Sequence, residues 1–501
     1  MRSPIEAASR FLRECRSDWA VALITVTVIV RGLLSLILVP VTWDEAVYAN
    51  LARDFYFFGF YFYFPQQVIL DFSRAPVTPL SIYLAYLLTG PNHIVAQLVT
   101  YAYSLATIYT VYLLGKEMFD EKVGRLSALA VACNPFLLVS SWGILSEPPC
   151  MFFSTLFLLL VYRAQRNPRY YVPAGAALTL ATLSRYPAFL MIAVALFMVS
   201  ASGNLKKAFK SPWLYAGLAV AIATAIPWLF SSKSLTGSYT GFLQIFFEST
   251  QQWMREPYTM LLLGVTPLDY LVSAGYDVLA VAALPGALVS YFLWGARLGK
   301  RSAEGRTLLF WVLFFAVAYG LLMRAARLVD YMRYNETSLP AVAVLSAVGL
   351  AVLLKEGGGV KVEGVRSILY GKKKVALALI AINIAAGFAG AAVVRGEAAA
   401  SESGISIPVP VYEFLAVATP PDGSILSNIY PIVSYYTDRV CMWFPQVDWL
   451  RDYTFKHLNV KYVLFNLNRY CPLDALIYVE SHPETFERLL VYGGLVLYRV
   501  K

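Results

Sequence analysis

Long apolar runs, separated by short polar segments, dominate the first 394 residues of the chain. A run of about 20 apolar residues is long enough to cross a bilayer as a helix. The two runs between residues 170 and 202 are short and share a break at 184–187, which predicts two short helices meeting at one membrane surface. In all, eleven transmembrane helices are predicted, at about 19–40, 93–115, 126–142, 147–163, 170–184, 186–202, 211–230, 267–295, 307–323, 336–354 and 375–394.

The tail from residue 395 to 501 has a different pattern. Short β-rich runs, such as Val460 to Phe465 and Leu495 to Tyr498, alternate with stretches that favour helix, such as residues 483–492. At about 105 residues the tail is large enough to have its own core. The pattern therefore predicts an α-helical polytopic membrane module over residues 1–394 and a soluble C-terminal α/β domain over residues 395–501.

Composition supports a membrane protein. Apolar residues make up 58% of the chain and charged residues 14%, and the mean hydropathy is +0.60. Soluble globular chains average about 45–50% apolar and about 25% charged residues. A soluble chain of this composition would expose large apolar patches, which monomers rarely do. The length of 501 residues is therefore not read as several soluble domains.

The distribution of positive charge predicts the orientation. With a cytoplasmic N-terminus, 23 of the 41 lysines and arginines fall in cytoplasmic segments and eight in outer loops, as the positive-inside rule requires. The protein is therefore expected in the cell membrane, in contact with membrane lipid, with outer pieces at 41–92 and 231–266 and an extracytoplasmic C-terminal domain. Because the net charge of +10 resides mainly in cytoplasmic loops, no nucleic-acid partner is expected.

Two adjacent carboxylates, Asp44 and Glu45, stand where the first predicted helix leaves the membrane. The segment that follows, Ala46 to Phe58, has the periodicity of a helix lying in the membrane interface. A carboxylate beside lipid can act as a general base. Asp and Glu also favour the first turn of a solvated helix, so a structural role is the alternative.

Single charges occupy short outer segments at other positions. Arg74 precedes a turn between two prolines, and Glu147, Arg185 and the neighbours Arg333 and Tyr334 lie in short hairpins. An ionisable residue at the membrane surface indicates a function, unless it snorkels or caps a helix. Because arginine binds phosphate through two parallel hydrogen bonds, acids and arginines together suit a phosphate-linked lipid donor and a polar acceptor.

The order of these motifs identifies a resemblance. The motifs are Asp44-Glu45 followed by Tyr48, Arg74-Ala75-Pro76 leading to Pro79-Leu80, Glu147-Pro148, Leu183-Ser184-Arg185, and tail segments at 426–431, 435–439 and 460–464. Together they resemble the GT-C superfamily of polyprenyl-phosphate-sugar-dependent glycosyltransferases, especially its protein O-mannosyltransferase-like and aminoarabinose-transferase-like branches. The resemblance covers residues 19–202 best and the tail more loosely.

The resemblance implies a function and roles for single residues. The enzyme would move a sugar from a dolichyl-phosphate or other polyprenyl-phosphate donor to a glycan, lipid or protein acceptor, with inversion at the anomeric carbon. Asp44 would be the general base and Glu45 would assist by positioning. Tyr48 and Arg185 would contact the lipid phosphate. The further candidates for the phosphate or the sugar are Arg74, Glu147, Arg333 and Tyr334.

No cofactor is expected. The three histidines are far apart in sequence and no cysteine pair has zinc spacing, so no metal site is predicted, although a divalent ion is not excluded. The Asp-x-Asp and Trp-Trp-Asp-Tyr-Gly motifs of oligosaccharyltransferases are not found, which argues against transfer of a whole oligosaccharide. Cys441 and Cys471 both fall in the predicted outer domain, where they could form a disulfide.

A secondary transporter or lipid flippase is the alternative function. Such proteins often contain repeated halves with charges near the membrane midplane. This sequence shows no such repeat, and its ionisable residues lie at one membrane surface. A non-catalytic scaffold would explain the tail but not the acids and arginines.

Overall fold

The chain forms two compact units in a computed structural model. The helical unit comprises Met1–Leu36, Thr100–Trp142 and Ser146–Ala392, and the mixed unit comprises Ile37–Val99, Gly143–Leu145 and Val393–Lys501. The structure describes residues 19–35, 41–59, 74–246, 296–297, 300–322, 336–353, 385, 389, 409–445, 448–467, 473–492 and 494–501. The first predicted outer loop therefore belongs to the same compact unit as the C-terminal tail.

The described part of the helical unit consists of helices. Its described α-helices are α1 (Trp19–Ser35), α4 (His93–Met118, shared with the mixed unit), α5 (Glu121–Ala132), α6 (Pro135–Trp142), α7 (Glu147–Ala164), α8 (Tyr171–Thr182), α9 (Met191–Ala201), α10 (Leu205–Phe209), α11 (Pro212–Thr236), α12 (Ala303–Leu322) and α13 (Leu339–Leu353). Short 3₁₀ helices at Pro168–Tyr170, Tyr186–Leu190 and Glu336–Ser338 precede α8, α9 and α13. Two described helices, α4 and α11, are long and apolar enough to cross a membrane.

The predicted span 126–142 is not one helix. It divides into α5 and α6, with the break at Cys133 and Asn134. The Asn134 Oδ1 atom accepts a hydrogen bond from the backbone N–H of Leu137 at 3.3 Å, and Pro135 opens α6. Asparagine favours the cap position and proline the first turn of a helix, so the local sequence starts a new helix here.

Most other predicted runs coincide with described helices. The run 211–230 extends to Thr236, and residues 186–190 of the run 186–202 are a 3₁₀ helix. The predicted spans 267–295 and 375–394 lie outside the described residues, apart from residues 385 and 389.

Close backbone contact holds α8 against α11. A Cβ atom at Gly175 would overlap the Gly217 carbonyl oxygen, and a Cβ atom at Gly217 would overlap the Tyr171 carbonyl oxygen. Glycines at such positions let membrane helices approach closely, and van der Waals packing then stabilises the pair. On α11 the other buried residues are Trp228 and Ser232, so most of this apolar helix faces away from the protein.

The mixed unit combines two helices of the first predicted outer loop with an α/β sheet. Its described elements are α2 (Trp43–Phe58), α3 (Val77–Thr89), α14 (Val409–Ala418), β1 (Ser424–Ser427), α15 (Tyr430–Thr437), β2 (Val440–Met442), α16 (Asp448–His457), β3 (Val460–Asn466), α17 (Leu473–Ser481), β4 (Phe486–Tyr492) and β5 (Leu495–Val500). The strand order is β2-β1-β3-β5-β4. Strand β1 pairs in parallel with β2 and β3, whereas β5 pairs antiparallel with β3 and β4.

The helical stretch predicted at 483–492 is wrong. Phe486 to Tyr492 form β4, an edge strand that pairs antiparallel with β5. Gly494 has a φ of 83°, as a tight hairpin requires. Pairing with β5 therefore overrides the local helical pattern. Elsewhere in the sheet, Cys441 is a free, buried thiol, and Cys471 lies outside the described residues.

Candidate active site

Asp44 lies in the first turn of α2 and forms an ion pair with Arg74. The Asp44 Oδ1 atom accepts a hydrogen bond from the Arg74 Nη2 atom at 2.8 Å. The two side chains are 20% and 29% exposed, so ligand can reach both. An opposite charge at this distance favours the ionised carboxylate. The pair therefore presents a fixed, accessible carboxylate beside a cation at the start of α2.

Glu45 is buried and holds the start of the same helix. Its Oε2 atom accepts a hydrogen bond from the backbone N–H of Thr42 at 2.7 Å, and 1% of the residue is exposed. Gly143 packs so closely that a Cβ atom there would overlap the Glu45 Oε1 atom. The contacts suit the predicted positioning role of Glu45 and identify Gly143 as a residue that sequence reasoning missed.

Tyr48 is buried one turn further along α2. It lies in an apolar cluster with Ala52, Ile82, Tyr86 and Ile144, where α2 packs against α3. Only 5% of Tyr48 is exposed. Neighbouring side chains thus cover most of the surface of Tyr48. The contact between Tyr48 and a lipid phosphate stays a prediction.

The C-terminal half of α2 joins α15 of the sheet. The Asn50 Nδ2 atom donates to the Pro431 carbonyl oxygen at 2.9 Å, and the Arg53 Nη1 atom donates to the Tyr435 carbonyl oxygen at 3.1 Å. Arg53 also forms an ion pair with Asp438. These contacts fix the helix that carries Asp44 to the α/β sheet.

Asp54, on the same helix, has different surroundings from Asp44. It is 2% exposed, and its Oδ2 atom has no hydrogen-bond partner among the described residues. Burial raises the pKa of the Asp54 carboxyl to about 8, although the neighbouring Arg53 opposes this shift. The two aspartates on this helix therefore have opposite environments. The ion pair with Arg74 favours the ionised form of Asp44, whereas burial favours the protonated form of Asp54.

A second acid–arginine pair lies in the helical unit. The Arg185 Nη1 atom is 2.9 Å from the Glu147 Oε1 atom, and the side chains are 13% and 1% exposed. Glu147 opens α7, and Arg185 immediately precedes the 3₁₀ helix that leads to α9. Arg185 is thus paired with a carboxylate. A phosphate that binds at this position would either share Arg185 with Glu147 or displace Glu147 from it.

Glu336 adds a further buried carboxylate near this pair. It is 3% exposed and begins the 3₁₀ helix that packs against α7. The Cys150 thiol, on α7, lies within electrostatic range of Arg185, Glu147 and Glu336. The sequence marks Glu336 in the same way as Glu147, because each is an acid that directly precedes an apolar run.

Arg333 and Tyr334 lie outside the described residues. No group of three His, Cys, Asp or Glu side chains that could hold a metal ion occurs among the residues that the structure describes. His93 hydrogen-bonds the Tyr435 hydroxyl through its Nδ1 atom.

Comparison with known proteins finds a family model that matches part of the chain and solved structures that share its fold. Residues 73–230 match the family model of dolichyl-phosphate-mannose-protein mannosyltransferases. The structure of ArnT from Cupriavidus metallidurans bound to undecaprenyl phosphate matches with a TM-score of 0.67 and 15% identity, covering 96% of this chain and 98% of that chain. Its apo form matches with a TM-score of 0.66 and 14% identity over 96% and 97% of the two chains.

A more distant structure has the same fold. The apo oligosaccharyltransferase of Archaeoglobus fulgidus matches with a TM-score of 0.54 and 15% identity, covering 89% of this chain and 69% of that chain. No curated protein sequence matches this chain.

These matches confirm the resemblance to the GT-C superfamily. The chain has the fold that these structures share, and two of its described helices are long and apolar enough to cross a membrane. The predicted enzyme class, a glycosyltransferase with a lipid-linked donor, is the class of the matching family and structures.

Proposed function

We propose that this protein transfers a sugar from a polyprenyl-phosphate donor to an acceptor hydroxyl, with Asp44 as the general base and inversion at the anomeric carbon. The observation that carries the proposal is the ion pair between Asp44 and Arg74 in a GT-C fold. The similar ArnT structure was solved with undecaprenyl phosphate, and the matching family is described by its dolichyl-phosphate donor.

The reaction follows from the charges at the start of α2. The acceptor oxygen attacks the anomeric carbon, its proton passes to the Asp44 carboxylate, and the bond from that carbon to the phosphate oxygen breaks. The bonding electrons leave with the polyprenyl phosphate. Arg74 first keeps Asp44 ionised, which a general base requires. Attack from the side opposite the leaving phosphate inverts the configuration.

Cations stabilise the leaving phosphate as its charge develops. Arg185 is the proposed phosphate ligand in the helical unit, and Glu147 orients its guanidinium until the donor binds. Tyr48, Arg333 and Tyr334 remain further candidates for contact with the donor. In the mixed unit, Arg74 is a further candidate for contact with the phosphate or the sugar of the donor.

The proposed topology keeps the site outside the cytoplasm. The N-terminus is cytoplasmic, and residues 41–92, 231–266 and 395–501 form the outer parts. The excess of lysine and arginine in the opposite loops supports this orientation. The acceptor is then a glycan, lipid or protein at the outer membrane face.

Release of the lipid carrier tests the proposal. Purified protein in lipid nanodiscs is incubated with a series of polyprenyl-phosphate sugars, with and without a membrane extract as the acceptor source. Mass spectrometry then measures free polyprenyl phosphate and glycosylated products. The proposal predicts release that depends on the acceptor.

The alternative gives a different result. A flippase would move intact donor across the bilayer of a sealed vesicle and release no polyprenyl phosphate. Transport of intact donor without release, across the whole donor series, would contradict the proposed transferase.

A further inference from the structure

Three lysines line one open cavity of the helical unit, formed by α10, the start of α11 and Pro168. The cavity has a volume of about 530 Å³. Its lining is formed mainly by Pro168, Lys206, Lys207, Lys210, Ser211 and Trp213. Within the described lining there is no acid to neutralise the three ammonium groups. The cavity is therefore suited to an anion.

Ser211 gives an independent sign of a ligand. The residue is 9% exposed, and its Oγ atom has no hydrogen-bond partner among the described residues. Its backbone N–H is satisfied by the Ala208 carbonyl oxygen at 3.0 Å. Buried hydroxyl groups are usually hydrogen-bonded, so an acceptor is expected in the cavity. A phosphate oxygen is both an acceptor and an anion.

The position of the cavity favours a lipid as the source of that phosphate. The apolar helix α11 begins at Pro212 and exposes most of its surface, as a helix in contact with lipid does. Phe209, Trp213 and Tyr215 are 51%, 41% and 57% exposed beside the lysines. Exposed aromatic rings next to basic side chains are typical of the boundary between headgroups and acyl chains.

The aromatic ring at the cavity is also held in place. The Arg169 guanidinium lies 5.6 Å from the centroid of the Trp213 ring. Lysines that contribute only to the positive charge of a cytoplasmic loop do not have to line the same cavity. By contrast, Arg297, Lys300 and Arg301, which the charge pattern assigns to the same membrane side, are exposed and line no part of this cavity.

We propose that this cavity binds the phosphate of an anionic membrane phospholipid. Ser211 donates a hydrogen bond to a phosphate oxygen, Lys206, Lys207 and Lys210 balance its charge, and Trp213 lies against the start of the acyl chains. The bound lipid joins the loop before α11 to the bilayer. The proposal concerns a structural lipid and does not depend on the transferase activity.

Native mass spectrometry tests the site. Detergent-solubilised protein is titrated with short-chain phosphatidylglycerol, and phosphatidylcholine of the same chain length serves as the neutral probe. The triple variant K206Q/K207Q/K210Q should bind phosphatidylglycerol about 100-fold more weakly, since each cation near a membrane surface contributes about 1 kcal/mol to anionic-lipid binding. Ser211→Ala, which removes only the hydroxyl, should weaken binding severalfold. Phosphatidylcholine binding should stay unchanged.

The matched control is R297Q/K300Q/R301Q, which removes the same charge outside the cavity. An equal loss of phosphatidylglycerol binding in this control would overturn the proposal, because general attraction would then explain the data. Displacement of the lipid by millimolar inorganic phosphate would also overturn it, because the cavity would then be a site for free phosphate. Unchanged binding in both Ser211→Ala and the lysine triple variant would exclude the cavity itself.

Discussion

Asp44 and Asp54 show how surroundings decide the chemistry of one residue type. Asp44 is partly exposed and paired with Arg74, whereas Asp54 is buried and its carboxyl has a pKa of about 8. At neutral pH Asp54 is therefore mainly protonated, and asparagine would be close to it in shape and charge. Asp44 must be ionised to accept a proton. Of these two aspartates, only Asp44 is expected to act in catalysis.

At the same scale, the absence of a side chain at Gly143 leaves room for the Glu45 carboxylate. Gly143→Ala should displace the Glu45 carboxylate, because the added methyl group would overlap it. Overpacking of this kind costs about 1–3 kcal/mol of stability. We expect kcat for sugar transfer to fall about tenfold or more, measured with purified variants at matched protein concentration.

A double-mutant cycle provides the control for Gly143. If the substitution acts through Glu45, Gly143→Ala should add little to the loss caused by Glu45→Ala. Fully additive effects of the two substitutions on kcat would show that Gly143 acts by another route.

At the scale of elements, the hydrophobic pattern predicted the wrong structure at two places. At one place a polar residue and a proline start a new helix, and at the other a strand forms by pairing with its neighbour. Hydrophobic runs predicted most described helices of the helical unit. They missed the break between α5 and α6, because hydropathy alone does not register the cap formed by Asn134 and Pro135. They also missed β4, which is a strand because β5 pairs with it. The short β-rich runs at β3 and β5 were predicted correctly.

The packing of α8 against α11 gives an element-scale prediction. Gly217→Val should force the two helices apart, since a Cβ atom at Gly217 would overlap the Tyr171 carbonyl oxygen. We expect a loss of at least about 1–3 kcal/mol in stability, seen as a lower thermal midpoint and reduced monodisperse yield in detergent. The control, Ala219→Val, changes an exposed position on the same helix and should leave both unchanged. An equal loss in both variants would contradict the packing role of Gly217.

At the scale of the whole molecule, the order of the motifs predicted the resemblance to the GT-C superfamily. The sequence also singled out the two acids and the two arginines as candidate site residues, but it could not predict which acid pairs with which arginine. Asp44 with Arg74 and Glu147 with Arg185 are 30 and 38 positions apart, so their contacts arise only when the helices pack. Gly143 could not be predicted for the same reason, whereas Glu336 has a signal in the sequence, an acid directly before an apolar run.

The rate of sugar transfer from a polyprenyl-phosphate donor by Asp44→Asn tests the proposed mechanism most directly. Wild-type protein, Asp44→Asn and the matched variant Asp54→Asn are compared in the same lipid nanodiscs, after equal folding is verified by thermal unfolding. Asp44→Asn should lower kcat by about 10²–10⁴-fold, the range expected for loss of a general base, and Asp54→Asn should retain near wild-type activity. Full activity in Asp44→Asn, or an equal loss in Asp54→Asn, would contradict the assignment of Asp44 as the base.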